Sequence, residues 1–152
     1  MQRTTIAIAA LLIVLTNGCS NLSRFEGAGS QPVKLWIREQ PVVTLPADVK
    51  LASTSFGQYL FEAKSGDQVL YGLLPLRFRG DYLALDILFF APAMFFNLRT
   101  TFDYYEFDVP AGVIRYRNDS ADAWTSYKPT GAEIAHARSY FDSRQPSTPE
   151  GN

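Results

Sequence analysis

A chain of 152 residues with 47% hydrophobic and 19% charged side chains can bury one modest core but not two. Its formal net charge of −1 supplies no basic field for a polyanion such as nucleic acid. One cysteine and one histidine exclude an intramolecular disulfide and leave too few ligands for a zinc site, so no metal and no cofactor is expected.

In chain order, the first 18 residues carry one charge at Arg3, an apolar run from Ile6 to Leu15, and the small residue Gly18 ahead of Cys19. This is the three-part pattern of a secretory signal, and the run is shorter than the ~20 residues a membrane span needs. Leu15-Thr16-Asn17-Gly18-Cys19 resembles the lipobox of bacterial lipoproteins, with Thr16 where the family usually has Leu and Leu15 one place earlier. The resemblance implies a signal peptide over 1–18, a diacylated Cys19 as new N-terminus, and membrane attachment through N-terminal acyl chains. Ser20 in place of Asp after the cysteine implies, by the same resemblance, the periplasmic side of a Gram-negative outer membrane. The periplasmic face of the inner membrane is the alternative. At about 0.8 kcal/mol per buried CH₂, several acyl tails hold the protein whether or not its body touches lipid.

Residues 19–32 are small, polar and glycine-bearing, which predicts a lipidated flexible tether. A globular β-rich domain is expected over 33–141, and a disordered tail over 142–152, where prolines and serines replace apolar residues. Strand-type residues with a period of two predict strands over 33–38 and 49–53, and a hairpin pairing 59–63 with 68–72. Residues 74–79 alternate apolar with basic, and Pro75 suits a strand start or an edge. Gly72-Leu73-Leu74-Pro75-Leu76 resembles the Gly-x-Thr-Pro core of PEGA-type β-modules of envelope proteins, without its Thr.

Residues 83–96 form the most apolar stretch of the body. Even as a helix they would cover only about 21 Å, against a hydrocarbon core near 30 Å, and Pro92 and Asp86 speak further against a span. Two readings stand. The stretch is a short helical segment buried across the sheet, or Phe89, Phe90, Phe95 and Phe96 form an exposed aromatic contact for the bilayer interface or a partner protein.

Residues 104–108 and 113–117 flank Val109-Pro110-Ala111-Gly112, a type I turn signature. A four-residue loop opposes Phe107 to Ile114 and Glu106 to Arg115. It places Tyr105, Phe107, Ile114 and Tyr116 on one face, and Glu106, Asp108, Arg115 and Arg117 on a polar one; a one-residue slip would mix the faces. Thr130 and Glu133 have capping-box spacing, and Ile134, Ala137 and Phe141 follow at helical intervals, which predicts a helix over 131–143.

For catalysis, His136 and Ser139 with Asp142 on one terminal helix make a poor triad, and Glu106 with Asp108 reads as cross-strand ion pairing before it reads as a carboxylate pair. Trp36, Trp124 and Tyr127 are candidates for a glycan or peptide groove, though isolated aromatics more often fill a core or seal a sheet edge. The expectation is a non-enzymatic, β-rich α+β protein with a single antiparallel sheet. Its role would be structural or interactive in the cell envelope, with an envelope protein as partner. The alternative is a periplasmic binding module for a lipid or small apolar ligand.

Overall fold

The computed structural model describes residues 20–53, 58–78 and 99–144. Strand β1, Ser20–Gly27, has Ser23 and Phe25 fully buried on one face while Leu22 on the other is exposed. That period-two pattern sets one face of the strand on a core. β4 (Ala47–Ala52) pairs with it antiparallel and β9 (Tyr104–Asp108) parallel. Outward from β9 come β10 (Val113–Arg117) and β11 (Thr125–Tyr127), so the first sheet runs β11-β10-β9-β1-β4.

Residues 19–32 were expected to be a tether; instead Ser20–Gly27 is an interior strand, and the folded domain starts at Ser20, not 33. Composition misled because the glycines have other uses. A Cβ on Gly27 would meet Val33 Cγ2 at 2.8 Å, so this glycine permits close packing, and Gly29 at φ 89° makes the turn that follows.

The second sheet has the order β3-β2-β5-β6, with β2 (Lys34–Ile37), β3 (Val43–Thr44), β5 (Leu60–Ser65) and β6 (Gln68–Leu73) all antiparallel. Its inner face, Leu35, Ile37, Phe61, Ala63 and Leu70, packs on Phe25, Val49, Leu51, Tyr105, Phe107 and Ile114 of the first sheet. Phe61 meets Phe107 edge-on across this core at 5.1 Å, and Phe25 stacks on Tyr105 at 5.0 Å. The outer face of the second sheet carries helix α1, Gly131–Asp142, where Phe141 and Ala137 lie on Leu60, Tyr71 and Trp36. A short ribbon of β7 (Leu76–Phe78) and β8 (Arg99–Thr101) completes the described structure.

The β-rich α+β class holds, with the expected single sheet divided into two packed sheets and a ribbon. The hairpin β9–β10 has the register its pattern selects, Asp108 opposite Val113 through Tyr104 opposite Arg117, and the Gly112 N–H closes the turn on the Val109 carbonyl at 3.1 Å. The capping box of Thr130 and Glu133 is formed. Helix α1 includes Asp142, the first residue of the expected tail; 145–152 and the stretch 83–96 lie outside the described residues.

Candidate functional site

Two polar clusters stand on or beside the first sheet. The polar hairpin face is built by alternation: Glu106 and Asp108 on β9 and Arg115 on β10 point away from the core that Tyr105, Phe107 and Ile114 fill. Arg115 bridges both carboxylates, Nη1 to Glu106 and Nη2 to Asp108 at 3.2 Å. The hydrogen bond and charge of Glu106 raise the Arg115 pKa further, so this guanidinium stays charged. Asp108 also accepts the Ala111 N–H at 3.2 Å and so braces the turn. Arg117 departs from the ion-pair reading. Its guanidinium lies 4.2 Å from the Trp124 ring centroid and 5.2 Å from that of Tyr104, and it donates to the Ser120 carbonyl at 2.6 Å. The four residues share a face, yet chemically they are a structural brace.

The second cluster is at the corner where β1 begins. Asn21 Nδ2 donates to the Thr101 carbonyl and to Asp103 Oδ1, each at 3.0 Å. Ser23 Oγ is 2.7 Å from Thr101 Oγ1 and donates to the Phe102 carbonyl at 2.8 Å. Ser23 and Thr101 are buried, so these bonds satisfy groups that would otherwise be stranded away from water. Tyr105 Oη accepts the Phe102 N–H at 3.0 Å and donates to the Pro75 carbonyl at 2.6 Å. Burial pushes its pKa strongly up.

One hydroxyl therefore clips the chain leading into β7 to the chain leaving β8. Phe78 and Arg99, the last and first described residues around 79–98, are direct partners in that ribbon. The two ends of 79–98 thus meet at one end of the ribbon, and the other end, at Thr101, is hydrogen-bonded to the first residues of β1. Phe78 and Leu22, both exposed, add apolar surface, and a hollow of about 370 Å³ opens between Leu22, Asn21, Asp103 and Tyr104.

Cys19, Phe89, Phe90, Phe95 and Phe96 lie outside the described residues. Trp36, Trp124 and Tyr127 are not brought together. Trp36 packs under α1 against Phe141 at 4.9 Å, Trp124 covers Arg117, and Tyr127 donates to Glu133 at 2.5 Å. His136, Ser139 and Asp142 are exposed on α1.

Asn21, Ser23 and Thr101 were not singled out from sequence, nor was Glu62. Glu62 is buried on β5 beneath α1 and held by Lys64 at 2.6 Å, with its Oε2 unpartnered among the described residues. It stands on the helix-covered face of β5 between Trp36 and Tyr71 of the neighbouring strands, a placement that leaves no mark in the sequence.

A hollow of about 440 Å³ is open and lined partly by Arg24, Glu26 and Gln31. Between the sheets, stacked rings occupy the core. Among the described residues no helix is long and apolar enough to cross a membrane. No family model matches the chain, nor does any curated protein or solved structure.

Proposed function

We propose that this chain is a lipoprotein of the outer membrane, acylated at Cys19 and facing the periplasm, with a structural or interaction role in the envelope. Its leader and the lipobox-like Leu15-Thr16-Asn17-Gly18-Cys19 support the anchor. The observation that carries the reading is the corner network of Asn21 and Ser23 with Thr101, Phe102 and Asp103.

Strand β1 starts at Ser20, one residue past the cysteine, so an acylated Cys19 holds the domain against the bilayer with about one residue of slack, roughly 3.4 Å. The same network ties that strand to the end of the β7–β8 ribbon at Thr101. The segment that carries Phe89, Phe90, Phe95 and Phe96 joins the two strands of that ribbon, and these aromatic residues are the ones we assign to contact with a bilayer interface or a membrane-embedded partner. A filled core and open, partly polar hollows favour a contact surface over ligand carriage.

Two measurements test this. Cys19→Ala is expected to leave the leader uncleaved, remove the acyl mass and release the protein from the membrane fraction. Unchanged mass and fractionation would overturn the anchor. Capture of the anchored protein from envelopes is expected to lose its partner in Phe89→Ser/Phe90→Ser, and an unchanged partner set would overturn the contact.

A further inference from the structure

We infer that β4 is a pairing edge for a second copy of this chain, joining two first sheets into one ten-stranded sheet through an antiparallel β4–β4 ladder.

The direction of the backbone groups follows from β1. The Arg24 N–H donates to the Asp103 carbonyl at 2.8 Å and the Ala28 N–H to Phe107 at 2.9 Å, so the even-numbered residues of β1 turn their peptide groups toward β9. Arg24 faces Asp48, and Leu22 faces Lys50, in the β1–β4 register. Those pairs exchange no backbone bonds. The N–H and C=O groups of Asp48 and Lys50 therefore point away from β1. Among the described residues no strand takes them, because β4 ends the sheet. Ala52 confirms the phase: its carbonyl, on the same edge, accepts the Tyr59 hydroxyl at 2.5 Å.

The side chains choose the register. Asp48 and Lys50 stand on the exposed outer face, while Val49 and Leu51 are buried on the inner one. Pairing two copies about Val49 sets Asp48 opposite Lys50 and Lys50 opposite Asp48, each couple exchanging both backbone bonds. A shift of two residues either way opposes Asp48 to Asp48 or Lys50 to Lys50, which is unfavourable. In the favoured register the next couple outward is Ala52 with Pro46. Proline has no N–H and the Ala52 carbonyl is already taken, so the ladder stops where no group is left wanting. The interface is isologous, as a closed two-fold requires. It rests on β4 alone and not on the lipid anchor.

The test is sedimentation of the full-length protein in detergent micelles over a concentration series. The wild type is expected to show a reversible dimer. Lys50→Pro removes one edge N–H per copy and leaves the β1 ladder whole, so it is expected to be monomeric with an unchanged circular dichroism spectrum. Lys50→Asp opposes two like-charge couples and is expected to weaken the dimer about tenfold. Because Arg24 pairs with Asp48 at 3.2 Å within the chain, the exchange Asp48→Lys/Lys50→Asp is made together with Arg24→Gln and is expected to restore it. A wild type that stays monomeric, a dimer indifferent to Lys50→Asp, or a folded exchange variant that does not recover would each overturn the inference.

Discussion

Replacing Tyr105 by Phe removes one oxygen and nothing else from the core. The ring keeps its stack on Phe25, at 5.0 Å and 5° between planes, and its edge contact with Phe102 at 6.2 Å. What goes is the clip: a donor to the Pro75 carbonyl at 2.6 Å and an acceptor for the Phe102 N–H at 3.0 Å. Two hydrogen bonds at about 1 kcal/mol net each give ~2 kcal/mol, and two partly buried groups left without a partner bring the cost to about 2–3 kcal/mol. Urea unfolding at pH 7 reads this directly, with an unchanged slope showing that the unfolded state is not the cause. Because the hydroxyl joins the approach to β7 with the exit from β8, lost amide protection should concentrate at Arg77, Thr100 and Thr101 and spare β5–β6.

The same substitution has a pH signature. Burial raises the Tyr105 pKa far above its unfolded value of about 10. The group's stabilisation is therefore complete below pH 10 and is lost as pH rises beyond it, since the unfolded chain ionises first. Tyr105→Phe should flatten the alkaline limb by one proton. A destabilisation under about 0.5 kcal/mol at pH 7, or protection lost equally in β5–β6, would refute the account of Tyr105 as the clip.

Other outcomes follow from close contacts and buried charge. Gly72→Ala puts a Cβ 2.7 Å from Pro129 Cγ and 2.9 Å from Phe61 Cε1, with expected destabilisation of about 1–3 kcal/mol by urea titration. Lys64→Ala takes the ammonium from the buried Glu62 and should cost about 1–3 kcal/mol, part of it recovered by adding Glu62→Gln in a double-mutant cycle. At Glu133, burial pushes the pKa up, but hydrogen bonds from Tyr127 and Thr130 outweigh it and hold the pKa low. Stability from Glu133 is thus present above the ordinary value of about 4.3 and lost as pH falls through the lowered one. Glu133→Gln should flatten the acid limb followed by circular dichroism.

What the sequence disclosed was local. The β9–β10 register follows from alternation with a four-residue turn, and the capping box from spacing alone. Sheet membership was not disclosed. Nothing in 104–117 announces that β9 lies parallel to a strand some eighty residues earlier, because that pairing is paid for by Phe25 stacking on Tyr105. The same limit hid the corner. Asn21 and Ser23 look like tether residues until Thr101 and Asp103 arrive beside them, and a polar residue that is inward only in three dimensions has no one-dimensional mark. Arg117 shows the converse: its face was legible but its partner was not, since Trp124 reaches it across a loop.

The position of β1 constrains any functional account more than its polarity suggested. In the first sheet it alone joins β4 to β9, and its buried Phe25 touches Tyr105 and Phe107. A strand so placed cannot pay out as slack. On the proposed lipid anchor, force on the acyl chains acts at the start of an interior strand, in shear along its ladders with β4 and β9, where several hydrogen bonds must fail together. A flexible tether would let the domain search the periplasm. On that proposal, a strand beginning one residue after the anchor would hold the exposed Leu22 near the membrane surface, and the partner or lipid it meets would be found there.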